Sequence, residues 1–168
     1  MTEIVDQQES DTRPVLLLVL AILSFISIGF SILGNLWSIT GGPMNEDEII
    51  KQRVEMTKSK TQMREAGMDG FVDFFDKLEG MTKQVNDNFY FSKGILFVTD
   101  FIGLFGVIFM LRRRKLGFHM YIVYSLLALG GMYLYVSPEN IHISLPILNV
   151  IFAGLFVFLY SRTLHWMQ

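Results

Sequence analysis

The clearest evidence for the architecture lies in residues 89–136, which read FYFSKGILFVTDFIGLFGVIFMLRRRKLGFHMYIVYSLLALGGMYLYV. An α-helix rises 1.5 Å per residue, so about 20 apolar residues cross the roughly 30 Å hydrocarbon core of a bilayer. Residues 89–111 and 116–136 are therefore predicted to be two transmembrane helices. The tight turn between them consists of four basic residues, Arg112, Arg113, Arg114 and Lys115.

Two further apolar runs have the length of a span, residues 14–39 and residues 143–161. Residues 137–142 begin with Ser-Pro-Glu-Asn, which is typical of a turn, so the third and fourth spans are predicted to form a second tight hairpin. The first run has an alternative interpretation as a cleaved signal peptide. Its length and the acidic tail before it favour a retained span. The predicted fold is an all-α integral membrane protein, an up-down bundle of four transmembrane helices.

Composition supports this prediction and excludes several classes of protein. Only 18% of the 168 residues are charged, against about a quarter in soluble domains. The chain has no cysteine, which excludes disulfides, thiolate metal sites and cysteine nucleophiles. A net charge of −2 argues against nucleic acid as a partner. Motifs for phosphate binding, nucleophilic catalysis or metal ligation are missing, so no catalytic residue, metal or cofactor is predicted.

The distribution of basic residues predicts the orientation in the membrane. Positive charge in short loops stays cytoplasmic, and residues 112–115 carry four positive charges whereas residues 137–142 carry none. The acidic tail of residues 1–13 and the tail of residues 162–168 are then both cytoplasmic. A long outer loop without cysteine suits a bacterial inner membrane. The basic turn is interpreted as a topology anchor that lies near lipid headgroups.

Residues 40–88 are predicted to lie outside and to form two helices. The first, over about residues 45–66, is polar and begins with the capping-box pattern Asn45-Glu46-Asp47-Glu48. The second, over about residues 70–86, is amphipathic. Its mixed to acidic polar face favours packing on the bundle or on a partner protein over adhesion to lipid. The predicted docking face consists of Phe71, Phe74, Phe75, Leu78 and Val85.

Asp100 is the one carboxylate inside a predicted span, 12 residues from Arg112 and therefore near the middle of the membrane. A charge there costs about 2.5–3.5 kcal/mol on insertion scales and marks a functional residue by default. Three hypotheses stay open. Asp100 is a neutral, hydrogen-bonded structural group, a proton or cation carrier, or the partner of a basic group on another subunit. Asn35 and Asn149 are its candidate polar neighbours.

These features lead to two hypotheses for the function. The first is a non-enzymatic accessory or scaffold subunit of a membrane complex. It would dock through the outer helices and through the small residues present on every span, onto other subunits or another copy. The alternative is a small oligomeric transporter or channel, coupled to protons or cations and centred on Asp100. A membrane enzyme acting on lipid has the least support, because no cluster of histidines or carboxylates is visible at an interface.

Overall fold

The computed structural model describes residues 14–167, and within them every regular element is helical. Three short 3₁₀ segments connect or follow the α-helices, at Gly131–Leu134, Pro138–Asn140 and Leu164–Trp166. The α-helices are α1 (Val15–Gly41), α2 (Glu46–Glu65), α3 (Asp69–Asp87), α4 (Phe89–Leu111), α5 (Lys115–Gly130) and α6 (Ser144–Ser161).

Four helices are long and apolar enough to cross a membrane: α1, α4, α5 with its 3₁₀ extension to Leu134, and α6. This confirms the prediction of an all-helical chain with four such helices. The third differs in detail from the prediction, because its α-helical part ends at Gly130 and continues to Leu134 as a 3₁₀ turn. Two successive glycines explain the change, since glycine is a poor helix former.

Helices α4 and α5 form the closest pair, an antiparallel hairpin in which glycines let the backbones touch. A Cβ atom on Gly117 would collide with the backbone of Met110 and Gly106. One on Gly103 would lie 2.6 Å from the Tyr124 ring. The turn between the helices places Arg113 at φ 62°, the left-handed conformation that ends many helices.

The apolar core lies at the end of the bundle that carries this turn, which we call the basic end. Leu17 of α1, Val107 and Met110 of α4 and Tyr160 of α6 are fully buried there. Buried side chains from all four membrane-length helices belong to one cluster at this level, so the basic end is closed.

The opposite end of the bundle, which we call the hairpin end, is looser. In α6 the buried residue is Tyr160, next to the basic end, whereas Ile147, Leu148 and Ile151 are each more than half exposed. Helix α6 therefore packs firmly near Tyr160 and leaves its other half uncovered by the rest of the chain.

Helices α2 and α3 pair as a hairpin at that end. The capping box at Asn45 is formed, with the Asn45 side chain accepting from the Glu48 amide and the Glu48 carboxylate from the Asn45 amide. Ion pairs hold the two helices together, because Lys60 Nζ lies 2.6 Å from Asp76 and 2.8 Å from Glu79. No residue of α2 is buried.

Helix α3 anchors this hairpin on the turn between α5 and α6. The Gln84 side chain donates to Ser137 Oγ at 2.9 Å and accepts from the Ser137 amide at 2.8 Å. Gly80 lies against the Asn140 side chain, at a distance where a Cβ atom would not fit. The hairpin is thereby fixed to the bundle through a bidentate contact and a close approach.

Candidate functional site

Asp100 lies on α4 with only 5% of its surface exposed, and two residues of α1 donate hydrogen bonds to it. The Ser31 hydroxyl donates at 2.7 Å and the Asn35 side-chain amide at 3.5 Å. Residues four apart share one face of a helix, which is why both reach the same group. Both bonds end on Oδ2, so within residues 14–167 the Oδ1 oxygen accepts from no protein donor.

Lys93 extends this cluster toward the hairpin end. Its ammonium donates to Asn35 Oδ1 at 3.3 Å, so Asn35 bridges Lys93 and Asp100. Within residues 14–167 no basic side chain pairs with Asp100 directly. The sequence predicted Asn35 as a neighbour of Asp100 and did not predict Lys93. A spacing of seven residues, about two turns, was the available signal that Lys93 and Asp100 share a face of α4.

Asp100 borders a cavity of about 280 Å³, which we call the carboxylate cavity. Its lining is mostly apolar, and Asp100 is its single charged group. The other polar lining residues are Ser27, Ser31, Thr99, Tyr124 and Tyr135. The Thr99 hydroxyl donates its proton to the Ile95 carbonyl at 2.8 Å, so it does not donate to Asp100.

A second cavity, of about 290 Å³, lies beside it between α1, α5 and α6, and we call it the flank cavity. Both cavities are lined by Ser27, Tyr124 and Ala128, so they adjoin at these residues. Ser27 and Ala128 are exposed, so the cavities are not sealed at the residues that they share. Asn149 lies on the flank cavity and forms no hydrogen bond with Asp100, unlike the predicted neighbour Asn35.

Toward the basic end, the polar residues around Asp100 and the cavities stop at a group of three hydroxyls. Ser24 Oγ shares hydrogen bonds with the Tyr160 hydroxyl at 3.0 Å and the Tyr121 hydroxyl at 3.4 Å. The centroids of the two tyrosine rings are 4.6 Å apart. Ser24, Ser27, Ser31 and Asn35 thus form one polar stripe on α1 from the closed core to the Lys93 bridge. Beyond Ser24 the fully buried apolar core closes the bundle.

The predicted docking face of α3 lies partly against the chain itself. Phe74 packs edge-on against His142 at 5.4 Å between ring centroids. Phe75, Leu78 and Val85 are half-buried, whereas Phe71 is 55% exposed. Val72 is the one buried residue of α3, and the predicted face did not include it. The role of this face as a docking surface stays a prediction.

The four basic residues of the turn divide into two pairs. The Arg113 guanidinium lies 4.6 Å from the centre of the Trp166 ring, and that of Arg114 lies 5.9 Å from the Phe109 ring. Arg112 and Lys115 are exposed. Stacking on aromatic rings orients the first pair, and the second pair is free to contact anionic groups.

The chemistry available at Asp100 is cation binding or proton exchange. A carboxylate with an open oxygen beside a cavity accepts a proton or a cation, and the neighbouring hydroxyls and tyrosines solvate either one. General acid–base catalysis commonly uses two titratable groups, such as two carboxylates or a carboxylate and a histidine. The lining of the cavity includes no His and no carboxylate besides Asp100. Comparison of this chain with protein families, curated proteins and solved structures finds no match.

Proposed function

We propose that this chain is a non-enzymatic membrane protein that moves a proton or another monovalent cation, with Asp100 as the site that the cation occupies. The observation that carries the proposal is a carboxylate that is 5% exposed and still borders a cavity with one oxygen free of protein donors. A purely structural carboxyl is better served when both of its oxygens are bonded within the protein. Intramembrane carboxylates face cavities where ions or protons pass.

The closed basic end argues for a carrier over an open pore. The serine stripe and the two cavities provide polar surface as far as Ser24, and the buried side chains around Tyr160 seal the rest. Passage across the membrane then requires a second arrangement in which this seal opens and the hairpin end closes. The close α4–α5 pair would move as one body, and the loosely packed α6 would move against it.

Flux measurements in liposomes test this proposal. Full-length protein is reconstituted, and proton and sodium uptake are followed with internal dyes under an imposed gradient. Asp100→Asn keeps the size and shape of the side chain while removing its charge, and we expect flux to fall about tenfold or more. Asp87→Asn, at an exposed position of α3, is the matched control and should not change it. Equal flux in Asp100→Asn and wild type, or no flux in wild type, contradicts the proposal.

An accessory subunit of a membrane complex is the second candidate. It is favoured by α2, which buries no residue and exposes Ile50 at 59% and Val54 at 48%. An ordered helix that adds nothing to the core is suited to contact with another protein. A photo-crosslinking amino acid at Ile50 should then join the chain to a defined partner in the native membrane, whereas the same group at Glu139, an exposed position in the turn between α5 and α6, should not. Equal labelling at both positions contradicts docking through α2.

The location that suits this function is a bacterial inner membrane with both termini in the cytoplasm. The four positive charges of the basic turn support this orientation. Alkaline phosphatase is active only outside the cytoplasm, so its fusion after Gly67 should be active and its fusion at the C-terminus inactive. Replacing all four basic residues of the turn by glutamine should give a mixed orientation. The opposite pattern of activity in the wild-type fusions contradicts the proposed topology.

A further inference from the structure

The carboxylate cavity combines one negative charge with a largely apolar and aromatic lining. Asp100 is its charged member, and Tyr124 and Tyr135 contribute rings. Ile95, Leu127 and Met132 contribute aliphatic and thioether surface. Lys93 does not line the cavity, because its ammonium is directed to Asn35. The site therefore presents an anion with no cation inside the cavity to neutralise it.

We infer that the carboxylate cavity binds a small lipophilic ammonium ion, with Asp100 Oδ1 as its counter-ion. A volume of about 280 Å³ is near the lower end of ligand pockets, which span about 300–1,000 Å³. It accommodates one aromatic ring or a short aliphatic chain together with its ammonium head. Tyrosine faces attract such a head because the quadrupole of the ring makes its face electronegative. This inference rests on the proposed function and names the class of cation that occupies the site.

A metal ion fits the site less well than an organic cation. Calcium takes six to eight oxygen ligands, and magnesium keeps a strict octahedral shell of oxygens. The cavity supplies one carboxylate, and its other polar lining groups are neutral hydroxyls, which neutralise none of the charge of a divalent ion. An ammonium ion needs one counter-charge and gains from the apolar lining that a hydrated metal ion does not use.

The position of the opening suits the same class of ligand. Ser27 and Ala128 are exposed where both cavities meet, and we take this opening to lie on the side of the bundle because both residues are well away from its basic end. The side of a membrane-spanning bundle faces lipid, into which a lipophilic amine partitions. Such a ligand reaches Asp100 from the bilayer without passing the closed core around Tyr160.

Equilibrium binding to the full-length chain in lipid nanodiscs tests the inference. The probe is benzyltrimethylammonium, and its comparison is neopentylbenzene, which has the same shape and no charge. We expect the cation to bind about tenfold or more tightly than the neutral compound, since counter-ion and cation–π contacts together contribute about 1.4 kcal/mol or more. Equal affinity for the two compounds, or no binding of the cation, overturns the inference.

Three variants locate the site. Asp100→Asn should reduce the affinity for the cation to that of the neutral compound, and an unchanged affinity overturns the inference. Ala128→Phe fills the junction of the cavities from an exposed position and should weaken binding about tenfold by steric exclusion. It decides the question if Asp100→Asn fails to fold. Asn149 lines the flank cavity and not the carboxylate cavity, so Asn149→Ala should leave the affinity unchanged. A loss there equal to that in Ala128→Phe assigns the ligand to the other cavity and overturns the inference.

The binding and flux experiments fail independently. Binding that depends on Asp100 without any flux supports this inference and contradicts transport. Proton flux that depends on Asp100 without binding of the ammonium probe supports transport and overturns this inference.

Discussion

Ser31 on α1 donates a 2.7 Å hydrogen bond to Oδ2 of Asp100 on α4, and this contact joins two helices that are distant in sequence. A hydrogen bond to a charged group contributes more than a neutral one, and it gains strength in a medium of low polarity. The same bond leaves Oδ1 available to the cavity. A single contact therefore both positions the carboxylate and holds α1 against α4.

Removing this bond is expected to destabilise the protein. Ser31→Ala should lower the free energy of unfolding by about 1 kcal/mol, because Asp100 loses its shortest donor. Unfolding of the purified protein by sodium dodecyl sulfate in mixed micelles, followed by circular dichroism, measures the change. Ser38→Ala, two turns further along α1, is the control and should have a smaller effect. A Ser38→Ala change as large as that of Ser31→Ala contradicts a special role for the bond.

The α4–α5 hairpin is expected to depend on the lack of a side chain at Gly117. Gly117→Ala forces a methyl group against the backbone of Met110, and backbone atoms cannot move aside as a flexible side chain does. We expect a loss of about 1–3 kcal/mol in unfolding free energy, the usual cost of overpacking. The measurement is thermal unfolding in detergent micelles.

Gly94→Ala provides the matched control on the same hairpin. A Cβ atom at Gly94 meets nothing within 4 Å. Alanine is also the better helix former by up to about 1 kcal/mol, so this change should be neutral or stabilising. A destabilisation by Gly94→Ala equal to that of Gly117→Ala would show that the close contact at Gly117 is unimportant.

The α2–α3 hairpin is expected to open at alkaline pH. Hydrogen bonds to Asp76 and Glu79 raise the pKa of Lys60 above its ordinary value of 10.5. A raised lysine pKa stabilises the folded form fully below about pH 10.5, and this contribution is lost as the pH rises through the raised value. Spin labels at Lys51→Cys and Asp87→Cys report the separation of the helices, and the cysteine-free chain makes such labelling specific.

Lys60→Met tests the origin of this transition. The lysine side chain is only 15% exposed, so methionine retains its packing while removing the charge. The labels should then be further apart or more mobile at neutral pH, and the alkaline step should disappear. A step of the same size in Lys60→Met would assign the transition to another group.

The ring of Tyr124 is expected to matter more for the ammonium probe than its hydroxyl. Tyr124→Phe keeps an aromatic face in the carboxylate cavity and should change the affinity by no more than about threefold. Tyr124→Ala removes that face and should weaken binding about tenfold. Binding to nanodiscs provides the measurement. The reverse order of the two variants would contradict a cation–π contact and indicate a hydrogen bond from the hydroxyl.

The helical runs could be predicted from the sequence because their signals are local. Runs of about 20 apolar residues predict membrane-spanning helices, since the thickness of the hydrocarbon core sets the length required. The pattern Asn45-x-x-Glu48 likewise predicted a helix start, because a capping box involves only residues within one turn. The α-helical part of α5 ends earlier than predicted, and the cause is also local, because a pair of glycines ends the α-helix at Gly130.

The neighbours of Asp100 were only partly predictable. Asn35 was among the candidates because polar residues inside spans tend to hydrogen-bond to one another. Asn149 satisfied the same rule but lines the flank cavity and does not bond to Asp100. Which amide reaches the carboxylate depends on the rotation of each helix about its axis. That rotation follows from side-chain packing across helices, to which residues far apart in sequence contribute.

Sequence alone therefore determined the number of long apolar helices, the buried position of Asp100 and the presence of two more helices between the first two spans. The length of an apolar run and the positions of charged residues are properties of consecutive residues, so they can be read directly from the sequence. Tertiary structure alone determined that Asn35 links Lys93 to Asp100 and that Tyr124 lies between two cavities. It also closed the basic end around Tyr160. These features depend on close packing between helices, where a glycine or a ring in one helix sets the space left for another.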